Sequence, residues 1–243
     1  MVSTPSLPEF TDEGVYRGLK ERAIPGTHHE VLRLFYDRYP KDARILDLGA
    51  GTGAFVQRLH DAGYRNLLAT DVDAATYQAP VPFLRVDLNR DFAPAFPGRF
   101  DVVTAIEVVE HLENVANFFR QVGGVLRERG ELVLTTPNIE SLPGRLRFLA
   151  SGSLRMFDGS MDPTHITPLN SYLLRQHARE GGFHIAAERP LVLRLAPQQA
   201  LGASPLPCFG SAVRRCRPGR VPTIRPAPWA GPLSLGLIRL PSH

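Results

Sequence analysis

The chain has 243 residues, 43% of them hydrophobic, which suits one α/β domain with additions. Its formal charge of +4 is uneven: Arg189 to His243 hold eight Arg and no acidic residue, and the preceding 188 residues carry a net charge of −4. This mildly acidic core argues against nucleic-acid binding. Cys208 and Cys216 offer neither zinc spacing nor a disulfide framework. Without a long apolar segment or a signal-peptide pattern, the chain is expected to be cytoplasmic.

The first elements of the chain lead to a glycine-rich turn. Residues 1–26 are polar and interrupted by proline, which predicts an N-terminal arm or lid. A helical stripe of apolar residues predicts a helix from about Thr27 to Tyr39, stopped by Pro40. A buried strand then leads into a turn with three glycines, Gly49, Gly51 and Gly53. Glycine permits a tight turn there and lets backbone N–H groups approach a ligand.

Two acidic residues flank this turn at informative distances. Asp47 lies two residues before Gly49, and Asp71 lies twenty residues after Gly51, at the end of the next apolar run. A carboxylate at the tip of the second strand can accept hydrogen bonds from both hydroxyls of a ribose. The pattern therefore predicts a nucleotide-binding βαβ unit and leaves two ligands open, a dinucleotide and S-adenosylmethionine (SAM).

The rest of the chain continues the alternation of strands and helices. Further strands are predicted at Val81–Val86, Phe100–Ile106, Glu131–Thr136 and Phe183–Ala187. Amphipathic helices are predicted after the fourth strand, as far as Leu126, and at Leu169–Glu180. This order predicts a doubly wound, mostly parallel sheet with its ligands beyond the carboxyl ends of the strands.

The motifs at these strand ends resemble a known family. ILDLGAGTGAF, ATDVD, FLRVDL, FDVVTAIEVVEHLENVANFFRQVGGVLRERGELVLTTPN and DPTHITPLNSYLLRQHAREGGF occur in the order and spacing of class I SAM-dependent methyltransferases. The match is most similar to the small-molecule branch with the ubiquinone-type O-methyltransferases and sugar- or lipid-modifying relatives. EVVEHL and TTPN argue against a nicotinamide oxidoreductase. The resemblance implies a Rossmann-like seven-stranded sheet whose last, antiparallel strand has one candidate, Leu233–Leu240.

The resemblance also implies roles for individual residues. Those expected to contact SAM are Asp47, Gly49, Ala50, Gly51 and Gly53 at the methionine portion, Asp71 and Val72 at the ribose, Asp87 and Leu88 at the adenine, and Ile106 and Glu107 beside the sulfonium. His111 is the first candidate for the base that takes a proton from the acceptor, and His165 is the second. Glu107, Glu110 and His111 match an E-x-x-E-H arrangement proposed to hold a divalent metal in ubiquinone-type relatives. We interpret them as solvated charges at a helix start and assign no metal.

Three segments are predicted as units: the arm 1–26, the SAM-binding domain 27–189 and a Pro/Arg-rich tail 190–243. Within the domain, residues 139–166 are predicted as an acceptor-side insertion. Its arginines, Arg145, Arg147 and Arg155, interleave with apolar residues, as in a lid, a peripheral membrane contact or an ordinary solvated helix. The tail holds ten of the 22 prolines and is either a basic tail that contacts anionic lipid or a partner, or the product of a frameshift.

The sequence therefore predicts a SAM-dependent methyltransferase that acts on a small-molecule acceptor. The expected target is a hydroxyl oxygen of a quinone-like, saccharide or lipid compound. The alternatives are an NAD-dependent oxidoreductase and a SAM-binding protein without catalytic activity. No nucleic-acid partner is expected, and the oligomeric state is left open.

Overall fold

The computed structural model describes residues 14–159, 162–191, 208–211 and 233–239. In these residues, β1 (Val15–Tyr16) and β2 (Leu19–Lys20) form a separate antiparallel hairpin. Five parallel strands make the centre of one sheet: β3 (Ile45–Leu48), β4 (Leu67–Asp71), β5 (Phe83–Arg85), β6 (Phe100–Ile106) and β7 (Leu126–Pro137). Their spatial order is β7-β6-β3-β4-β5.

Three further strands extend the sheet beyond β7. They are β8 (His184–Leu191), β9 (Cys208–Ser211) and β10 (Leu233–Arg239). Strand β10 runs antiparallel to both β7 and β8, which is the pairing expected of Leu233–Leu240. The sheet has eight strands instead of the expected seven, because β9 lies in a part of the tail that resembles neither helix nor strand in sequence. The rest of the predicted tail lies outside the described residues.

Five helices accompany the sheet within the described residues: α1 (Thr27–Tyr36), α2 (Ala54–Asp61), α3 (Val115–Val125), α4 (Leu142–Ser151) and α5 (Ser171–Glu180). All four residues of β3 are buried, as expected for a central strand covered on both faces. Aromatic side chains pack at the helix–sheet interfaces, with Phe35 edge-on to Phe55 and Phe119 edge-on to Phe183. No described helix is both long enough and apolar enough to cross a membrane.

Some boundaries differ from the predicted ones for local reasons. Helix α1 ends at Tyr36 instead of Tyr39, where Asp37 forms the C-cap. Strand β5 is shorter than Val81–Val86, since only Phe83–Arg85 pair with β4. Helix α4 was not predicted: Pro143 and Gly144 interrupt its pattern, and Gly144 is its only buried residue.

The start of the chain is more ordered from residue 14 onward than the predicted arm. The Tyr16 hydroxyl donates a 2.8 Å hydrogen bond to Asp61 at the end of α2. The Arg58 guanidinium lies 4.0 Å from the Tyr16 ring centroid and pairs with Glu21 at 2.5 Å, both side chains being 2% exposed. Burial alone would raise the pKa of Glu21, but pairing with His28 and Arg58 outweighs it and lowers the pKa to about 2. These contacts hold the hairpin against α2, beside the glycine-rich turn.

Candidate functional site

The glycine-rich turn after β3 requires glycine at two of its positions for space as well as conformation. Gly49 has φ 75°, and a Cβ there would lie 2.6 Å from Val108 Cγ2. Gly53 has φ 90°, and a Cβ there would lie 2.5 Å from the Ala79 Cβ. Real carbon atoms do not approach so closely, and a left-handed backbone disfavours L side chains. The turn therefore keeps its backbone exposed at the N-terminus of α2.

Asp71 fixes this turn through its carboxylate. One oxygen accepts a 2.8 Å hydrogen bond from the Gly51 N–H, and the other accepts one of 3.0 Å from the Asp73 N–H. The strand ends of β3 and β4 are thus tied together by the side chain that the sequence assigned to the ribose. Val72, the next residue, is 55% exposed.

Asp47 differs from Asp71 because it is buried inside the sheet. Its side chain is 3% exposed and accepts a 2.5 Å hydrogen bond from the Thr104 hydroxyl on β6. Burial raises its pKa to about 7, although the Thr104 hydrogen bond opposes this. Asp47 and Ala50 line a small cavity of about 20 Å³ that also contacts Lys20, Arg22 and His28.

A larger cleft of about 340 Å³ opens beside that cavity, at the carboxyl ends of the strands. Nine predicted site residues line it: Gly49, Gly51, Asp71, Val72, Asp87, Leu88, Ile106, Glu107 and His111. Gly53 and His165 do not line it. Asp87 is half-buried and accepts a 3.0 Å hydrogen bond from the Asn89 N–H. A more open hollow of about 590 Å³ lies near the amino ends of β6 and of β7 after its bulge, away from every predicted motif.

Several residues that line the cleft carry no signal in the sequence. They are Arg22, Val86, Asn89, Val108, Leu112, Asp162 and Thr164. Arg22 is the most informative, because its Cδ lies 3.1 Å from where a Gly51 Cβ would be and it lines both cavities. It follows β2, so the folding of the hairpin onto α2 brings its positive charge to the glycine turn.

Glu107 and Glu110 are enclosed instead of solvated, which makes the helix-start interpretation of these charges wrong. Glu107 has φ 54°, unusual for a residue other than glycine, and its carboxylate accepts a 2.7 Å hydrogen bond from Thr135. Burial raises the pKa of Glu107 to about 7. Glu110 is fully buried, and neither carboxyl oxygen has a hydrogen-bond partner in the described structure. Burial and the neighbouring Glu107 raise the pKa of Glu110 well above its usual value.

The two candidate bases are brought together although they are far apart in sequence. The rings of His111 and His165 lie edge to face with centroids 4.6 Å apart. His111 Nδ1 lies 2.9 Å from the Thr164 hydroxyl, and His165 Nδ1 lies 2.8 Å from the Met156 carbonyl oxygen. Burial lowers the pKa of His111, and the charge of His165 adds to this effect.

Glu110, His111 and His165 also form a possible donor set for a metal. Each offers one ligand atom, and these atoms lie within 4.8 Å of one another. A carboxylate and two imidazoles suit several divalent transition metals, and the unpartnered Glu110 oxygens fit such a role. Glu107 is not part of this set, so the donors differ from the E-x-x-E-H arrangement in sequence.

The fold and the cleft define a nucleotide-binding α/β protein of the Rossmann-like class, as predicted. Solved structures agree. A SAM-dependent methyltransferase from Archaeoglobus fulgidus has a TM-score of 0.57 at 16% identity, covering 87% of this chain and 93% of that one. The magnesium protoporphyrin IX methyltransferase of Synechocystis PCC 6803, solved with bound S-adenosylhomocysteine (SAH), has a TM-score of 0.54 at 15% identity, covering 88% and 82%.

Residues 19–188 match the family model described as a methyltransferase domain, and the chain belongs to that family. A probable SAM-dependent methyltransferase of Mycolicibacterium smegmatis is 29% identical over 188 residues, 74% of this chain and 67% of the relative. A ubiquinone biosynthesis O-methyltransferase of Azorhizobium caulinodans is 33% identical over 106 residues, and the match spans 40% of this chain and 42% of that relative. The protein is thus a SAM-dependent methyltransferase. The NAD-dependent alternative is set aside.

Proposed function

We propose that this methyltransferase transfers the methyl group of SAM to a hydroxyl oxygen of a small-molecule acceptor. The observation that carries the proposal is the position of His111, which lines the cleft together with Asp71, Asp87 and Glu107. The neighbouring His165 adds a second imidazole at the same end of the sheet. The similarity to ubiquinone biosynthesis O-methyltransferases supports a quinone-like phenol first, with saccharide and lipid hydroxyls as further candidates.

The cofactor would lie along the strand ends. We propose that Asp71 binds the ribose hydroxyls, that Asp87 and the Leu88 backbone hold the adenine, and that the glycine turn faces the methionine portion. Ile106 and Glu107 would then lie beside the sulfonium. This order follows the cleft from β5 to β6, since the strands lie in the order β6-β3-β4-β5.

The reaction needs an aligned nucleophile and a proton acceptor. The acceptor oxygen forms a bond to the methyl carbon as the S–CH₃ bond breaks, and the electron pair stays on sulfur to give SAH. The hydroxyl proton passes to His111 and then to solvent. Neutral imidazole is the competent form, and the burial that lowers the pKa of His111 favours it at neutral pH.

The donor set suggests a second arrangement at the same place. A divalent metal on Glu110, His111 and His165 would lower the pKa of a coordinated acceptor hydroxyl. We propose the metal-free base instead, since a protonated Glu110 needs no counter-charge in its buried position.

Residues 139–166 are proposed as the acceptor side of the protein, within the domain division 1–26, 27–189 and 190–243. Helix α4 there exposes Leu142, Leu146, Phe148 and Leu149, the last at 84%. An exposed apolar helix with Arg145 and Arg147 would suit a peripheral contact with a membrane that carries a lipophilic acceptor. A cytoplasmic location and the absence of a nucleic-acid partner remain predictions.

The test is an acceptor panel of a catechol, a reducing sugar and a lipid hydroxyl, with SAH formation as the readout. We expect methylation of one class, and a loss of about 10²- to 10⁴-fold in kcat for His111→Gln, because a positioned general base contributes that much. SAH affinity should stay unchanged. A full rate in His111→Gln would contradict the base, and loss of the wild-type rate with a chelator, restored by a divalent cation, would favour the metal arrangement.

Glu107→Gln tests the charge beside the sulfonium. SAM carries a positive charge that SAH lacks, and the Gln side chain can still accept the hydrogen bond from Thr135. We expect SAM affinity to fall about tenfold, as for loss of a partly buried charge pair, with SAH affinity unchanged. Since the pKa of Glu107 is raised to about 7, its charged form increases as the pH rises through 7.

In the wild type, the SAM-to-SAH affinity ratio should therefore increase between pH 6 and 8. Calorimetric titration of both ligands measures it. A ratio that is independent of pH in the wild type, or equal in both proteins, would contradict the placement of Glu107 at the sulfonium.

A further inference from the structure

A chain of three side chains links His111 to the segment that begins at Asp162. The Thr164 hydroxyl lies 2.5 Å from Asp162 Oδ1 and 2.9 Å from His111 Nδ1. The same Asp162 oxygen accepts the Thr164 N–H at 2.8 Å. His111 Nδ1 also lies 3.2 Å from the Thr164 carbonyl oxygen. Thr164 thus presents two oxygens to one nitrogen of the imidazole.

The directions of these hydrogen bonds follow from the number of hydrogens available. An ionised carboxylate only accepts, so the single hydroxyl hydrogen of Thr164 is donated to Asp162. The hydroxyl oxygen is then left with lone pairs toward His111, and the carbonyl oxygen of Thr164 can only accept. Both contacts are hydrogen bonds only when His111 Nδ1 carries the hydrogen. In neutral imidazole the other nitrogen, Nε2, then has the free lone pair.

We infer that Asp162 and Thr164 are positioning residues, which hold His111 in the Nδ1–H tautomer and stabilise the imidazolium formed when Nε2 takes the acceptor proton. The inference rests on the proposed role of His111 as base. The physical logic is that of a carboxylate that orients a catalytic imidazole, here with a hydroxyl between the two groups. The negative charge of Asp162 is passed on by polarising the Thr164 hydroxyl, whose oxygen becomes a better acceptor for the Nδ1–H.

His165 provides an internal reference for this arrangement. Its Nδ1 lies 2.8 Å from the Met156 carbonyl oxygen, so it is also held in the Nδ1–H tautomer, by a backbone group that no side-chain substitution removes. A change in Thr164 should therefore alter His111 and leave His165 as it is.

The first experiment determines the tautomer by long-range ¹H–¹⁵N correlation spectra of protein labelled at its eight histidines, in the presence of a chelator. His111→Gln assigns the His111 signals by their loss. We expect the Nδ1–H form for His111 and His165 in the wild type. In Thr164→Val the Nε2–H form of His111 should become detectable, and Thr164→Ser should restore the wild-type spectrum.

A wild-type His111 that is mainly Nε2–H, or an unchanged His111 signal in Thr164→Val, would overturn the inference. This measurement needs no acceptor, so its failure is separate from failure of the proposed function. With an active acceptor, Asp162→Asn and Thr164→Val should each lower kcat about tenfold at unchanged KM, as for loss of one hydrogen bond to a charged group, and Thr164→Ser should recover it. The correct tautomer with a full rate in His111→Gln would leave the assignment standing and refute the base.

Discussion

Asp71→Ala should reduce SAH affinity at least a hundredfold, the largest effect expected of any single substitution in the cofactor cleft. The wild-type carboxylate can accept hydrogen bonds from both ribose hydroxyls, and each hydrogen bond to a charged group is worth about 1.5–3 kcal/mol. The substitution also removes the hydrogen bonds from the Gly51 and Asp73 N–H groups, which hold the glycine turn in place. Calorimetric titration with SAH measures the loss.

Two controls separate the loss of contacts from unfolding. Asp73→Ala changes a carboxylate at the same strand end that does not line the cleft, so we expect SAH affinity close to that of the wild type. Asp71→Asn keeps an acceptor for the Gly51 N–H and should bind more weakly than the wild type but better than Asp71→Ala. Equal affinities for the wild type and a folded Asp71→Ala protein would refute the ribose assignment.

Gly53→Ala should lower the free energy of unfolding by about 2–5 kcal/mol and weaken SAH binding. A left-handed residue with a side chain costs about 1–2 kcal/mol, and overpacking costs about 1–3 kcal/mol more. The overpacking arises because the new Cβ would lie 2.5 Å from the Ala79 Cβ and 2.8 Å from Tyr77 Cε2. Either the turn or the segment with Tyr77 must move, and the turn contacts the cofactor.

Gly182→Ala is the matched control for this clash. Gly182 also has a positive φ, 82°, but nothing lies within 4 Å of a Cβ added there. The control should therefore pay only the backbone cost of about 1–2 kcal/mol and keep full SAH affinity. Chemical denaturation and thermal melting compare the two proteins, and equal destabilisation by both substitutions would show that the Gly53 contact is unimportant.

Sequence reasoning recovered the cofactor side of the site because its residues follow strand ends. The carboxyl ends of parallel strands meet at one edge of a sheet, so Asp71, Asp87 and Glu107 could be expected to converge without knowledge of any side-chain orientation. Spacing could not show that Asp47 is buried among strands while Asp71 is bound to the turn. That difference depends on which face of each strand is covered.

The acceptor side was harder to predict because its contacts cross long stretches of sequence. His111 and Thr164 are 53 residues apart and meet only after α3, β7 and α4 have folded. Glu110 was interpreted as solvated, although packing encloses it completely. Helix α4 was missed because its apolar residues are exposed, and Arg22 reaches the cleft only through the fold of the β1–β2 hairpin.

The most direct test of the central claim is calorimetric titration of the folded full-length protein with SAM, SAH and NAD. We predict one site that binds SAM and SAH in competition and does not bind NAD. Binding of NAD in place of the two adenosyl ligands, or no binding of SAM and SAH to protein shown to be folded, would contradict the account of the cleft as a methyl-donor site.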